Sequence, residues 1–277
     1  MKETSKLSNA ASQATWEVRA VGGHRSNQNK GEKQYFYEMK SYRYGYETPF
    51  IKDIFNFNNL KDKRVLEIGV GNGIDAMSMI ENGAIYSGID ITANHLDLTK
   101  KNIDISLSEE DKGKYFDELI EGDITEINFP KKYDVIYSFG VLHHIEHELE
   151  VLHAIKDILE PKGELRFSVY AAWSFFSIYL YITWIFKDRL KHSLHEWQSC
   201  MAEDSDIDNP VIIKIRSKKE VINLLHEAGF EVLSYSRQGF VQGYIPIFGR
   251  FLNPSGAVLK WLASFLGWYH CITCKVK

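Results

Sequence analysis

A chain of 277 residues with 44% hydrophobic residues and a formal net charge of −4 is long enough for one large core and has no general attraction for nucleic acid or anionic lipid. Three cysteines, Cys200, Cys271 and Cys274, leave an odd thiol and point to a reducing compartment. The opening MKETSKLSNAASQATW lacks the apolar run of a signal peptide, so a cytoplasmic location is expected.

Residues 1 to about 15 are small and polar and read as a mobile tail. From Trp16 the chain turns aromatic, with Tyr35, Phe36, Tyr37, Tyr42, Tyr44, Tyr46 and Phe50 following a glycine turn at Gly22-Gly23. A helix is predicted over 32–43, ending before Gly45 and Pro49. Residues 1–50 thus form a tail and an aromatic segment. Its tyrosines Tyr42, Tyr44 and Tyr46 suit either a lid over a pocket or the cover of a sheet edge. A helix over 50–57, with Ile51, Ile54 and Phe55 on one face, leads into the core.

Residues 64–90, RVLEIGVGNGIDAMSMIENGAIYSGID, read as strand, glycine turn, helix, strand and acidic residue. Val65, Leu66 and Ile68 form the apolar run of a strand buried on both faces of a parallel sheet. Gly69, Gly71 and Gly73 then permit positive φ and let backbone approach a ligand, while the following helix aims free N–H groups into the same space. Asn82-Gly83 ends that helix. Asp90 closes the second strand, where open α/β sheets bind ligands, and its carboxylate suits the two hydroxyls of a ribose. Glu67 is a carboxylate at the end of a buried strand, costly without a partner. The spacing is GxGxG, with Ile74 where a dinucleotide fold has its third glycine, so the glycines by themselves do not choose the cofactor.

Residues 91–105 read as a helix capped by Thr92, and 106–114 as a solvated connection whose Glu109-Glu110-Asp111 is surface charge. A third strand is predicted over 115–120 and a fourth over 133–139. After it stand His143 and His144, imidazoles able to take a proton near neutrality or to serve as structural parts of the turn. A helix over 146–159 is broken by Pro161-Lys162-Gly163 before a fifth strand over 164–169.

Residues 167–186, FSVYAAWSFFSIYLYITWIF, contain no charge. The strand claims the first of them, so about 16 residues remain, too few to span a bilayer. Trp173, Phe176, Leu180 and Trp184 form one helical stripe and Phe175, Tyr179, Ile182 and Phe186 another, as in a helix between layers, at a membrane surface, or along an apolar pocket. HSLHE, residues 192–196, lacks a third metal ligand, and the acidic run 204–208 lacks the glycine and glutamate of a calcium loop, so no metal site is predicted. Ser217 and Glu220 form a capping box ahead of a helix ended by Gly229. A sixth strand over 231–236, an aromatic excursion over 239–263 and a last strand over 268–276 follow. Cys271 and Cys274 fall on opposite strand faces, which argues against a CxxC site.

Taken together, the glycine turn, Asp90, Gly122-Asp123-Ile124, YDVIYSFGVLHHI and LEPKGEL make residues 64–169 resemble the class I S-adenosylmethionine-dependent methyltransferases, of the small-molecule type. Lys162 replaces the first of the two glycines common at that turn. The resemblance implies an α/β, three-layer, doubly wound Rossmann-like fold with a mostly parallel seven-stranded sheet, an antiparallel last strand and an aromatic helical cap. It divides the chain into a lid segment (1–50), a cofactor-binding core (51–170), a cap insertion (171–216) and a C-terminal completion (217–277). It implies S-adenosylmethionine as cofactor and S-adenosylhomocysteine as product. Asp90 and Ile91 would meet the ribose, Asp123 the adenine amine and Ile124 the ring. Phe139 and Gly140 would border the methyl, and Glu67 would orient the loop or accept from the methionine ammonium. His143 or His144 would act as base, and the lid tyrosines with Trp173 and Phe176 would shape the pocket for a small, partly apolar acceptor. A nicotinamide oxidoreductase, a noncatalytic cofactor-binding protein and a peripheral lipid methyltransferase are the competing classes. Nothing in the residues sets an oligomeric state.

Overall fold

The computed structural model describes residues 9–18, 25–245, 247–254 and 256–277. The predicted glycine turn at Gly22-Gly23 lies outside the described residues. Of the tail expected over residues 1 to about 15, residues 1–8 lie outside the described residues, and Asn9–Val18 forms a helix, α1, which packs near the later helix that follows Asp90. Helix α2 (Lys33–Tyr42) buries Tyr35, Phe36 and Met39, and at Gly45 the chain continues as a π-helical turn, Arg43–Glu47, instead of stopping. The predicted helix over 50–57 is only the short α3 (Ile51–Ile54) and a 3-10 turn at Phe57–Asn59, because Asn56 is left-handed between them.

The core follows the predicted alternation. Strand β1 (Arg64–Ile68), helix α4 (Ile74–Glu81), strand β2 (Ile85–Asp90) and helix α5 (Ala93–Ser106) lead to α6 (Glu109–Tyr115) and β3 (Phe116–Glu121). The acidic run 109–111 is exposed as expected but helical: the Ser108 hydroxyl caps the turn, accepting from the Asp111 N–H at 3.1 Å, and three carboxylates suit a helix N-terminus. Thr92 occupies the cap position of α5 without capping it, since its hydroxyl donates to Asp90. Strand β4 (Tyr133–Phe139) is followed by a 3-10 turn at Leu142–His144 and by α7 (Glu148–Ile158). Pro161-Lys162-Gly163 does not separate helix from strand: β5 (Leu159–Tyr170) begins at once, joining β4 through a register shift.

The cap comprises α8 (Phe175–Lys187) and α9 (Leu194–Glu203), and the chain returns through α10 (Lys218–Glu227), β6 (Phe230–Gln238), α11 (Ala257–Leu266) and β7 (Tyr269–Val276). The seven strands lie in the order β3-β2-β1-β4-β5-β7-β6, with β1 to β5 parallel and β7 antiparallel to both neighbours. Two cores cover the two faces, and period two assigns the residues between them. Leu66, Ile136, Ile272 and Cys274 join α7 and α10 on one face; Val65, Val135 and Cys271 join α3 and α4 on the other. The two cysteines therefore face opposite layers, as predicted. No described helix is long and apolar enough to cross a membrane.

Candidate cofactor and acceptor site

Strand order reverses between β1 and β4, so their carboxyl ends diverge and leave a crevice. Residues just past β1, β2, β3, β4 and β5, together with the start of β7, wall a cavity of about 710 Å³. It brings together the predicted residues Tyr42, Glu67, Gly69, Gly71, Asp90, Ile91, Asp123, Ile124, Phe139, Gly140 and His144. Its far wall is Trp16, Tyr170, Glu203, Trp268 and Tyr269.

The glycines divide by role. Gly69 (φ +81°) approaches Val141 so closely that a Cβ would stand 2.2 Å from Cγ2, and Gly140 (φ +77°) faces open space. Gly73 (φ +71°) is not in the cavity wall: a Cβ there would meet the Thr99 backbone at 2.9 Å, so it serves the packing of α4 on α5. Asp90 Oδ1 accepts from the Thr92 N–H at 3.0 Å and hydroxyl at 2.7 Å, while Oδ2 lies 3.3 Å from His95 Nδ1 and 3.4 Å from the Gly71 N–H. Burial alone would raise its pKa, but His95 and Thr92 hold it below the usual value, so the carboxylate is ionised at neutrality. Asp123 caps its own turn, accepting from the Thr125 N–H at 2.9 Å and hydroxyl at 2.7 Å.

Beneath the cradle lies a network absent from the sequence expectations. Arg43, on the π-turn, donates to Asp75 on the first turn of α4 through Nη2 at 2.6 Å and Nε at 3.3 Å, and its guanidinium stacks over Phe139 at 4.5 Å. Tyr44 and Tyr137 hydroxyls each donate to the same carboxylate at 2.8 Å. Burial opposes ionisation of Asp75, yet Arg43 and the hydroxyls hold its pKa below the ordinary value. Glu67 accepts from the Tyr86 hydroxyl at 2.6 Å, and burial, reinforced by the Asp75 charge, pushes its pKa well up. The folded state therefore binds that proton more tightly than the unfolded chain does, a contribution complete below the ordinary glutamate value and lost as pH rises through the folded one. Glu67→Gln, which keeps an acceptor for Tyr86, is expected to raise the melting temperature of the cofactor-free protein at mildly alkaline pH and to change nothing near pH ~4. Melting curves across pH check this; equal curves at both ends would refute the assignment.

Beyond the cradle, His144 Nδ1 donates to the Ile212 carbonyl at 2.6 Å, and Nε2 lies 3.6 Å from Glu203 Oε2. The ring packs against Trp16, and His143 lies behind it, tilted against Tyr170 with ring centres 3.7 Å apart and away from the cavity wall. Burial, then the neighbouring His144, hold His143 neutral. Tyr44 and Tyr46 are likewise not wall residues: Tyr44 supports Asp75, and Tyr46 packs on Tyr42. Trp173 precedes the cap helix instead of lying on it, because Ser174 caps α8, and it is 73% exposed. Phe176 stands one layer back, edge-on to the wall residue Trp268 at 5.0 Å. Glu196 belongs to the capping box of α9.

Fold and site together define an open α/β sheet with a nucleotide-type cradle joined to an aromatic compartment. The chain belongs to a methyltransferase family: a family model described as a methyltransferase domain matches residues 39–235. Among curated relatives, the ubiquinone biosynthesis O-methyltransferase of Salmonella typhi is 30% identical over 139 residues, 50% of this chain and 53% of that protein. That of Actinobacillus pleuropneumoniae serotype 7 (strain AP76) is 31% identical over 112 residues, 40% of this chain and 47% of the relative. The chain thus spans about half the length of the curated relatives it matches. Among solved structures, magnesium protoporphyrin IX methyltransferase from Synechocystis PCC 6803, with S-adenosylhomocysteine bound, superposes with a TM-score of 0.60 at 12% identity, over 97% of this chain and 99% of that one. Its likeness establishes the fold.

Proposed function

We propose that this protein transfers the methyl group of S-adenosylmethionine to a hydroxyl of a small, partly apolar acceptor. The observation that carries the reading is the convergence of Gly69, Asp90, Asp123 and Gly140 on one cavity that continues into an aromatic compartment, in a chain of the methyltransferase family. Asp90 addresses the ribose through Oδ2, since Oδ1 already accepts two bonds, and Asp123 addresses the adenine amine. The methionine ammonium meets Glu67 and restores its charge. Phe139 and Gly140 border the sulfonium methyl. The names of the curated relatives favour oxygen as the nucleophile.

In the transfer, an acceptor oxygen forms a bond to the methyl carbon as the carbon–sulfur bond breaks, its electron pair going to sulfur and leaving neutral S-adenosylhomocysteine. The hydroxyl proton passes to His144 Nε2, whose charge Glu203 balances. The sulfonium is already activated, so alignment and exclusion of water carry most of the effect, on the order of 7–11 kcal/mol for well-oriented reactants. Calorimetric titration with S-adenosylhomocysteine, followed by methyl transfer to a panel of hydroxylated aromatics, tests the reading. No binding, with tight binding of a nicotinamide dinucleotide instead, would overturn it.

A specific observation favours a second reading, a peripheral membrane contact. Ile182, Phe186 and Leu190 on and after α8, Phe248 and Phe251, and Trp261 and Phe265 on α11 are large apolar side chains at least 47% exposed. Phe175 on α8 stacks with Tyr244 and meets Phe240 edge-on, and both of these pack on α11, so these surfaces adjoin. With Lys187, Arg189 and Arg250 nearby in sequence, the face suits an anionic bilayer surface. The protein is expected to float with vesicles of mixed zwitterionic and anionic lipid, and the triple variant Phe186→Asp, Phe248→Asp, Trp261→Asp to remain at the bottom of the gradient. Wild-type protein that stays there too would remove this contact. The free cysteines fit a cytoplasmic site of action.

A further inference from the structure

Three side chains beside the acceptor compartment have a property that proton transfer does not require. His143, His144 and Glu203 each offer a ligand atom, and these atoms lie within 4.8 Å of one another. Both ring nitrogens of the buried His143 lack a hydrogen-bond partner among the described residues, as does Glu203 Oε1. A buried imidazole left without any partner is costly, and its neighbours offer it no donor–acceptor pairing. His144 Nδ1 is engaged by the Ile212 carbonyl, which leaves Nε2, 3.6 Å from Glu203, as the ring atom that would bind an ion. The histidines are adjacent, and the carboxylate ends α9 of the cap, where left-handed Asp204 follows.

We propose that His143, His144 and Glu203 form a binding site for one divalent transition-metal ion, zinc being the simplest occupant, with its open position toward the acceptor. Two neutral imidazoles and a carboxylate suit zinc, manganese or ferrous iron, and three protein ligands leave room for an exogenous oxygen. Ligand distances of about 2.0–2.2 Å require the three side chains to draw closer around a common point than they stand now. Glu203 and His144 both line the cavity, so the fourth position opens where the acceptor hydroxyl belongs. The inference rests on the methyl-transfer reading for its purpose and not for its existence. An ion held there would make His144 a ligand in place of the proton acceptor, and would supply the lowered hydroxyl pKa itself, with the proton passing to water.

The test uses the full chain, stripped with chelator and re-equilibrated against zinc, with bound metal measured by elemental analysis and affinity by competition with a chromophoric chelator. One zinc per chain is expected. His143→Gln, away from the cavity wall, and the near-isosteric Glu203→Gln should each weaken binding at least tenfold. Melting curves without metal show whether each variant is folded, and titration with S-adenosylhomocysteine reports the cradle separately. Absence of bound zinc in the wild-type protein, or equal affinity in wild type and both folded variants, overturns the site. Intact S-adenosylhomocysteine binding in that case leaves the methyl-transfer reading standing.

Discussion

Arg43→Leu is expected to lower the unfolding free energy by about 3–5 kcal/mol, the cost of removing one member of a buried ion pair. The Arg43 side chain is 19% exposed and that of Asp75 6%, so water replaces little of the lost interaction. Without the guanidinium, Asp75 and Glu67 are two buried carboxyls with no cation between them. Against a total stability of about 5–15 kcal/mol this is a large loss. The pH dependence identifies its cause. In the wild type, Asp75 has a lowered pKa, so its contribution is present above the unfolded value and fades as acid protonates the folded carboxylate. In the variant the Tyr44 and Tyr137 hydroxyls still donate to Asp75, but without the guanidinium the effect of burial is less opposed, the folded pKa rises, and mild acid should recover part of the deficit. The double variant Arg43→Leu, Asp75→Asn should be more stable than Arg43→Leu. Urea denaturation of cofactor-free protein at neutral and mildly acidic pH measures all three. A variant that unfolds at the wild-type midpoint would show that the pair is dispensable.

That network also shows where sequence reading stops. Arg43 and Asp75 were both visible, but they are 32 positions apart, and their meeting depends on a π-turn that carries the chain past Gly45 where a helix end was expected. Local propensity has no term for such a turn. The same holds for Trp173: the aromatic spacing extended the helix one residue too far, and the Ser174 cap, with its hydroxyl accepting from the Ser177 N–H at 2.9 Å, decided the boundary.

The second large effect concerns Asp90. Asp90→Asn is expected to weaken S-adenosylhomocysteine binding about 10–100-fold, since a hydrogen bond to a charged group contributes about 1.5–3 kcal/mol. Asparagine retains an oxygen for the Thr92 hydroxyl and N–H, so the turn after β2 keeps its shape. It replaces the second oxygen by an NH₂ beside the Gly71 N–H and His95, where a donor faces a donor. The loss therefore falls on the oxygen that a ribose would address. Calorimetry gives the affinity, and the melting temperature without ligand separates binding from folding. An Asp90→Asn protein that binds as tightly as the wild type would move the ribose elsewhere.

What the residue order determined by itself was the frame. Buried parallel strands must be short apolar runs, backbone that turns at φ above zero selects glycine, and capping serines announce helix starts, so the seven strands and the places of Gly69, Asp90 and Gly140 were legible from local pattern. Only the tertiary structure decided which polar groups share a space. His143 and His144 meet Glu203 from the far side of the cap, Gly73 packs a helix instead of lining the cradle, and Tyr44 turns inward to Asp75. The physical reason is that periodicity names the face a residue takes, whereas its partner is chosen by the packing of elements far apart in the chain.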